Sequence, residues 1–305
     1  EPNIYKLMKC QNCLHISTSP RLKEENLEEL YGQYYPRKEL KINEIINQSK
    51  NCQKKFNRIV RWFSGTNNQG QYYLKAGEKV LDIGCGSCSS LLEAKSYGAE
   101  VYGLEADKNI KSISEKLNLK VYFGTINNQN LPNNFFDVII MNQVLEHFPD
   151  PDISLKTLTK KLKPNGKIII VIPNTNSLWR IITEKKWINW HVPYHLHHFN
   201  EKNFRKMISR CGFKVRKKKT ITPNAWTVMQ IRSLFRIPTK GKPNNIWSVS
   251  NNKKQNNNKK LFDIRLFFLS FIKFISQIIL FFINRTIDYF GFGDSLIFFI
   301  QKKGK

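Results

Sequence analysis

The sequence predicts an α/β fold built on a mostly parallel, doubly wound sheet. Three observations point there. From Lys79 to about Ile172, short and almost wholly apolar runs alternate with helix-like stretches, the pattern of strands covered on both faces. One run breaks into the glycine turn Gly84-Cys85-Gly86 and then a helix-like segment, an arrangement that lets a ligand lie against the backbone. The next run ends in a carboxylate, Glu105, nineteen residues after Gly86, where an acid can accept both hydroxyl hydrogens of a ribose.

The elements follow in order. KVLDIG (79–84), EVYGLEA (100–106), LKVYFG (119–124), FFDVIIMN (135–142) and KIIIVIP (167–173) read as strands. LLEAKSYG (91–98), NIKSISEKLN (109–118) and ISLKTLTKKLKPNG (153–166) read as the helices between them, with Gly98 and Gly166 placed as helix C-caps. A further helix (201–212) and strand (213–222) follow an irregular segment rich in aromatics and histidine.

The domain reading is a zinc-knuckle-like remnant over 1–20, a helical cap or lid over 21–76, and a core over 77–222. An insertion over 223–290 and a final strand over 291–305 complete it. In the insertion, 238–260 is Pro, Asn and Lys with almost no apolar content, and reads as a flexible basic loop. Tyr31, Tyr34 and Tyr35 belong either to a lid or to a helix-packing face. No repeat of solenoid length is visible.

Composition bounds the partners. The 305 residues are 41% hydrophobic and 12% aromatic, enough for a core, so wholesale disorder is excluded. The net charge is +27, from 38 Lys and 12 Arg against 23 acids. Two accounts remain open: a solvated basic surface from an AT-rich coding sequence, or a site for a polyanion. Six cysteines in a chain this long do not make a secreted disulfide scaffold. No signal-peptide pattern opens the sequence, which begins at Glu1, so a reducing cytoplasm is expected.

The glycine turn also discriminates between ligands. A dinucleotide fingerprint calls for Gly or Ala at 89, where this chain has Ser89. VLDIGCGSC (80–88) instead resembles the first motif, DxGxGxG, of class I S-adenosylmethionine-dependent methyltransferases. The resemblance extends over most of 77–215 through Glu105, Gly124-Thr125, LPNNFFDVIIMNQVLEHFPDP and LKPNGKIIIVIPN. It implies that Asp82, Gly84, Gly86 and the residue at 88 hold the methionine part of S-adenosylmethionine. It also implies that Glu105, next to Ala106, binds ribose, that Thr125 and Ile126 lie against adenine, and that the backbone near Asn142 faces the cofactor. The family's third glycine is Cys88 here, a departure that touches the course of the loop. A redox or metal role for the Cys85–Cys88 pair is the rival reading, and the strand–turn–helix context argues against it. An unliganded glycine turn is the plain alternative for the whole segment.

Methyl transfer from a sulfonium needs alignment and exclusion of water, with a base where the acceptor is a hydroxyl. Four of six histidines fall between His191 and His198, and HLHHF (195–199) is similar to segments of methyltransferases associated with bacterial surface polysaccharide and lipid-linked substrates. His195 or His198 is therefore expected to touch the acceptor, with His147 near the cofactor. Aromatic packing under a loop is the alternative, as is a metal site, against which stands the lack of a nearby carboxylate other than Glu201. The implied acceptor is a small molecule, a sugar or a lipid-linked glycan hydroxyl; RNA, suggested by charge alone, lacks a recognisable module, and a membrane-bound inactive scaffold is a third reading.

Cys10 and Cys13 look like half of a zinc knuckle, with zinc only if further ligands exist, His15 or Cys52 among them. The run Leu266–Ile283 is 18 residues, near the lower limit for a bilayer span. Asp263, Ser270, Lys273, Gln277 and Asn284 would lie on one polar stripe of a helix. The end of the chain, GDSLIFFIQKK, resembles the last, antiparallel strand of the seven-stranded methyltransferase sheet, which disfavours spanning. Seating at an anionic inner membrane face, or packing on protein, is expected instead.

Overall fold

The computed structural model describes residues 5–21, 42–52, 55–127, 130–236 and 264–304. The expectations placed on Tyr31, Tyr34, Tyr35, on the basic loop and on Asp263 lie outside the described residues.

A seven-stranded sheet carries the chain. Its members are β3 (Lys79–Ile83), β4 (Glu100–Glu105), β5 (Lys120–Phe123), β6 (Phe136–Asn142), β7 (Leu162–Pro173), β9 (Phe213–Ile221) and β10 (Ser295–Lys302). They lie in the order β5-β4-β3-β6-β7-β10-β9. The pairings from β5 to β7 are parallel, and β10 runs antiparallel to both neighbours. The order reverses between β3 and β6, so a crevice opens beyond the carboxyl ends of those strands, where open α/β sheets bind ligands.

Both faces of the sheet's centre are buried because both parities of the central strands, β7 above all, are apolar. Ile168, Ile170 and Ile172 of β7 join Leu81, Met141 and Phe298 in one layer, while Ile169 and Val171 join Val80, Val138 and Ile297 in the other. Helices cover these layers: α3 (Ser89–Ser96), α4 (Lys111–Lys116), α5 (Pro151–Lys161) and α7 (Glu201–Arg210). Ahead of them the cap contributes α1 (Ile42–Cys52) and α2 (Lys55–Ser64).

Gly98 follows α3 at φ +84°, as a C-cap requires. Gly166 does not cap a helix. Helix α5 ends at Lys161, whose buried ammonium donates to Leu131 O at 2.6 Å, and Leu162 already pairs with Phe136. A Cβ at Gly166 would lie 2.6 Å from Leu162 Cγ, so the glycine serves a close approach where the pairing of β7 with β6 slips between Leu162 and Lys167, not a helix end.

Two features lie beyond the expected elements. The first is a helix, α8 (Asn224–Leu234), in the part of the insertion ahead of the basic loop, where no element is expected. Its polar residues Asn224, Thr227, Gln230 and Ser233 recur every three positions and are all at most 3% exposed. The stripe was invisible to a reading that assigns polar residues to water. The second is a small sheet, β1 (Lys6–Lys9), β2 (Ile16–Ser19) and β8 (His197–His198), which joins the CQNC turn to the HLHHF segment.

An ion pair helps to fasten the cap to the core. Arg61 of α2 meets the Glu93 carboxylate of α3, and the two side chains are 12% and 9% exposed. Gln71 and Tyr97 add hydrogen bonds of 3.2 and 3.0 Å to that carboxylate. Arg61→Ala strands a nearly buried charge, and should cost about 3 kcal/mol. Lys163→Ala, which breaks a pair with Asp137 whose members are 38% and 32% exposed, should cost under about 1 kcal/mol. Urea denaturation of the two variants checks the contrast.

Candidate functional site

The turn after β3 has the backbone its residues suggest. Gly84 and Gly86 sit at φ +68° and +51°. A Cβ at Gly84 would come within 2.7 Å of Val144 Cγ2, whereas one at Gly86 would meet no heavy atom nearer than 4.0 Å. Gly84 is therefore needed for space and conformation, and the top of the loop at Gly86 is open. Cys88 caps α3 in the left-handed region, φ 64° and ψ 6°. The cysteine thus follows the course a glycine would take, at a strain of about 1 kcal/mol.

Cys85 and Cys88 are buried, free thiols. A Cβ at Gly103 would lie 2.7 Å from Cys85 Sγ, so Cys85 fills the space between β4 and the turn. The Cys88 contact and then burial push the Cys85 thiol up, while the Cys85 hydrogen bond lowers that of Cys88.

Two carboxylates frame the turn. Asp82 is 4% exposed, accepts the Ser90 hydroxyl, and is pushed up to about 7 by burial. Glu105 turns toward the bend: Oε2 accepts Gly86 N–H at 2.8 Å and Oε1 accepts Asp107 N–H at 3.0 Å. Beside it Ala106 is exposed. Gly124 N–H donates to Glu105 O at 2.9 Å, which brings Thr125 (exposed) and Ile126 (6% exposed) to the same edge. Open glycine backbone, a helix start and a seated acid fit S-adenosylmethionine.

Asn142 sits at the end of β6, but its side chain serves the cap. Oδ1 accepts Gly70 N–H at 2.7 Å and Nδ2 donates to Gln71 Oε1 at 2.9 Å. Residues 67–73 thus close on the site, a role that no pattern in the cap sequence signals.

Beyond Val144, the histidines form a second layer at the same edge. His147 and His195 rings meet edge-on at 4.7 Å, and His191 reaches His195 at 5.0 Å. Carbonyl partners fix the tautomers. His195 Nδ1–H donates to Asn189 O at 2.8 Å, which leaves the lone pair on Nε2. His147 Nδ1–H donates to Tyr194 O at 2.9 Å. His197 Nε2–H donates to Pro149 O at 3.1 Å, so its Nδ1 accepts from His15 Nε2–H at 3.0 Å. Thr18 donates its hydroxyl to His195 O, so His198 Nε2–H donates to Thr18 Oγ1. His195 and His198 are 5% and 2% exposed, while His191 and Tyr194 form the half-open rim. Burial pushes His147 and His198 down to about 3, and His15 and His191 down to about 4. These imidazoles are neutral at pH 7.

The carboxylate expected only at Glu201 is in fact Glu146. Glu201 pairs with Arg205 and Lys218 instead. Glu146 is fully buried, and its Oε1 lies 3.9 Å from His195 Nε2. Burial pushes it up to about 8. With His147 and His195 it offers ligand atoms all within 4.8 Å of one another, a donor set suited to a divalent transition metal. Among the described residues no such cluster includes Cys10 or Cys13. Cys10 lies exposed in the β1–β2 turn, where the Cys13 and Asn12 N–H groups lower its thiol pKa. A depression of about 810 Å³ lined by Lys75, Glu78, Asp137 and Lys163 lies at the opposite, amino edge of the sheet.

The topology and the bend define a nucleoside-binding α/β fold of the class I methyltransferase kind. Residues 53–218 match the family described as Methyltransferase domain, and the chain belongs to that family of S-adenosylmethionine-dependent enzymes. It is 28% identical over 157 residues to a demethylmenaquinone methyltransferase of Geobacillus sp., covering 48% of this chain and 62% of that one. It is 32% identical over 117 residues to the mitochondrial ubiquinone biosynthesis O-methyltransferase of Schizosaccharomyces pombe, covering 35% and 42%. The chain thus spans less than two thirds of the length of these relatives. Among solved structures, a putative sarcosine dimethylglycine methyltransferase from Galdieria sulphuraria aligns over 76% of this chain and 81% of its own, with 15% identity and a TM-score of 0.46.

Two predictions follow from the geometry. Gly84→Ala, which drives a methyl into Val144, should destabilise by more than Gly86→Ala, which bears only the strain of φ, about 1 kcal/mol; thermal melts of both variants check it. The second concerns pH. A folded-state carboxyl held above its unfolded value binds a proton more tightly in the native chain, so its stabilisation is full at low pH and lost as pH rises. The histidines act oppositely, and their contribution is lost only below about 6.5. Between pH 6.5 and 8 Asp82 and Glu146 act without opposition from these histidines, so the melting temperature should fall there, and Glu146→Gln should flatten the fall.

Proposed function

We propose that the chain transfers the methyl group of S-adenosylmethionine to a hydroxyl of a small molecule, a sugar or a lipid-linked glycan precursor. The observation that carries this is the Glu105 carboxylate seated against Gly86 N–H at the open bend. Asp82, Gly84, Gly86 and Cys88 would hold the methionine part, Glu105 and Ala106 the ribose, Thr125 and Ile126 the adenine, and the backbone at Asn142 the edge of the site. When bound, S-adenosylmethionine supplies a methyl group activated by sulfonium charge.

The acceptor side is assigned to the histidine layer. His195 carries its lone pair on Nε2 and is held by Asn189, so it is the base proposed to take the hydroxyl proton. The Asn189 carbonyl keeps it in that tautomer, the His147 and His198 rings packed around it hold its orientation, and the His191–Tyr194 rim excludes water. Two relatives named for demethylmenaquinone and for an O-methyltransferase of ubiquinone biosynthesis support a small-molecule acceptor. The HLHHF likeness supports a glycan carried on lipid, and with it a seat at the cytoplasmic side of a membrane.

Isothermal titration with S-adenosylmethionine tests the cofactor site. Asp82→Ala should abolish binding and Glu105→Gln should weaken it; unchanged binding by both folded variants would overturn the site. His195→Gln should bind the cofactor normally while kcat on the accepted substrate drops by about 10²-fold or more.

A further inference from the structure

The insertion yields two helices that are built inside out. In α9 (Ile264–Tyr289) the polar residues turn toward the protein. Asn284 is wholly buried, donating to Asn224 Oδ1 at 2.9 Å and accepting from Thr227 Oγ1 at 2.9 Å. Gln277 Oε1 accepts from Asn224 at 3.1 Å, and Asp288 accepts the Thr222 hydroxyl at 2.8 Å. Lys273, expected on the same stripe, is exposed. The opposite face of α9 is apolar and bare: Ile272, Phe274, Ile275, Ile279, Phe282 and Ile283 are 39–65% exposed.

The neighbours repeat the inversion. α8 buries its polar stripe and exposes Ile231, and Phe235 at its C-cap is 82% exposed. The short helix α6 (Leu178–Thr183), in contact with α8, exposes Ile181 and Ile182. On the other flank, Trp62 of α2 packs edge-on to Phe281 at 5.0 Å and is itself half exposed. Exposed apolar side chains gathered on helices in contact with one another mark an interaction site. In sequence, the segment 237–260 between α8 and α9 is poor in apolar residues and holds six lysines and no acid.

We propose that this face, centred on α9, seats on the surface of a bilayer rich in anionic phospholipid. The apolar side chains enter the boundary between headgroups and acyl chains, and the chain's net charge of +27 complements the leaflet charge. A second copy of the chain is the poorer occupant, because pairing would bring two bodies of net charge +27 together. Among the described residues no helix is long and apolar enough to cross a membrane, and the hydrogen bonds of Asn284 and Gln277 hold α9 along the protein surface. The inference stands independently of the methyl-transfer reading.

Co-sedimentation with vesicles tests it on the full chain. Wild-type protein should partition onto phosphatidylcholine–phosphatidylglycerol vesicles more strongly than onto phosphatidylcholine alone. A Phe274→Asp, Phe282→Asp double variant, altered only at outward positions, should lose at least about tenfold of that partition while keeping its circular dichroism spectrum. Asp82→Ala should bind vesicles as wild type does, which separates failure here from failure of the cofactor site. No partition onto anionic vesicles, partition untouched by the double variant, or a wild-type dimer that the variant splits would each overturn the proposal.

Discussion

The hydrogen bond from Gly86 N–H to the Glu105 carboxylate ties the functional edge of this protein together. It requires that β3 and β4 be parallel neighbours in register, Ile83 against Leu104, so that an acid ending one strand reaches the turn leaving the other. That register in turn needs Gly103, since a Cβ there would strike Cys85 Sγ and Leu91 Cδ1 at 2.7 and 2.9 Å. One polar contact thus rests on apolar packing beneath it. The same logic extends to the next layer, where Val144 leans on Gly84 and places Glu146 and His147 just beyond the bend.

Polarity is used in two contrary ways. Around the sheet the usual partition holds, with isoleucine and valine inside. In the histidine layer and between α8 and α9, polar side chains are the interior. Buried imidazoles and amides are tolerable because partners are supplied nearby: Asn189, Tyr194 and Pro149 carbonyls for the rings, and the Asn224–Asn284–Thr227 set for the helices. Glu146 is one exception, with neither oxygen hydrogen-bonded, and it remains compatible with its site by holding its proton.

The sheet was legible in the sequence because five strands are short apolar runs whose ends are punctuated by glycine or charge, and the last strand by its likeness to a known ending. The bend, Asp82 and Glu105 were legible for the same reason: local spacing fixes them. What the sequence concealed depends on distant pairing. Nothing near Ser17 tells that it will lie against His197, so the union of the CQNC turn with HLHHF could not be read. Nor does Asn142 signal that Gln71, far upstream, will take its amide. Helix α8 escaped because its polar stripe faces inward, and Gly166 was misplaced because Lys161 ends the helix through a tertiary contact with Leu131.

The central claim is that a nucleoside ligand lies across the glycine bend with its sugar against Glu105. Residue-resolved amide NMR of the protein titrated with S-adenosylhomocysteine asks this most directly. The account predicts that the largest shifts fall on Gly84, Gly86, Glu105, Ala106 and Thr125, with the amino-edge residues Lys75, Glu78 and Lys163 unmoved. Shifts confined to other parts of the chain, or none at saturating ligand, would contradict it.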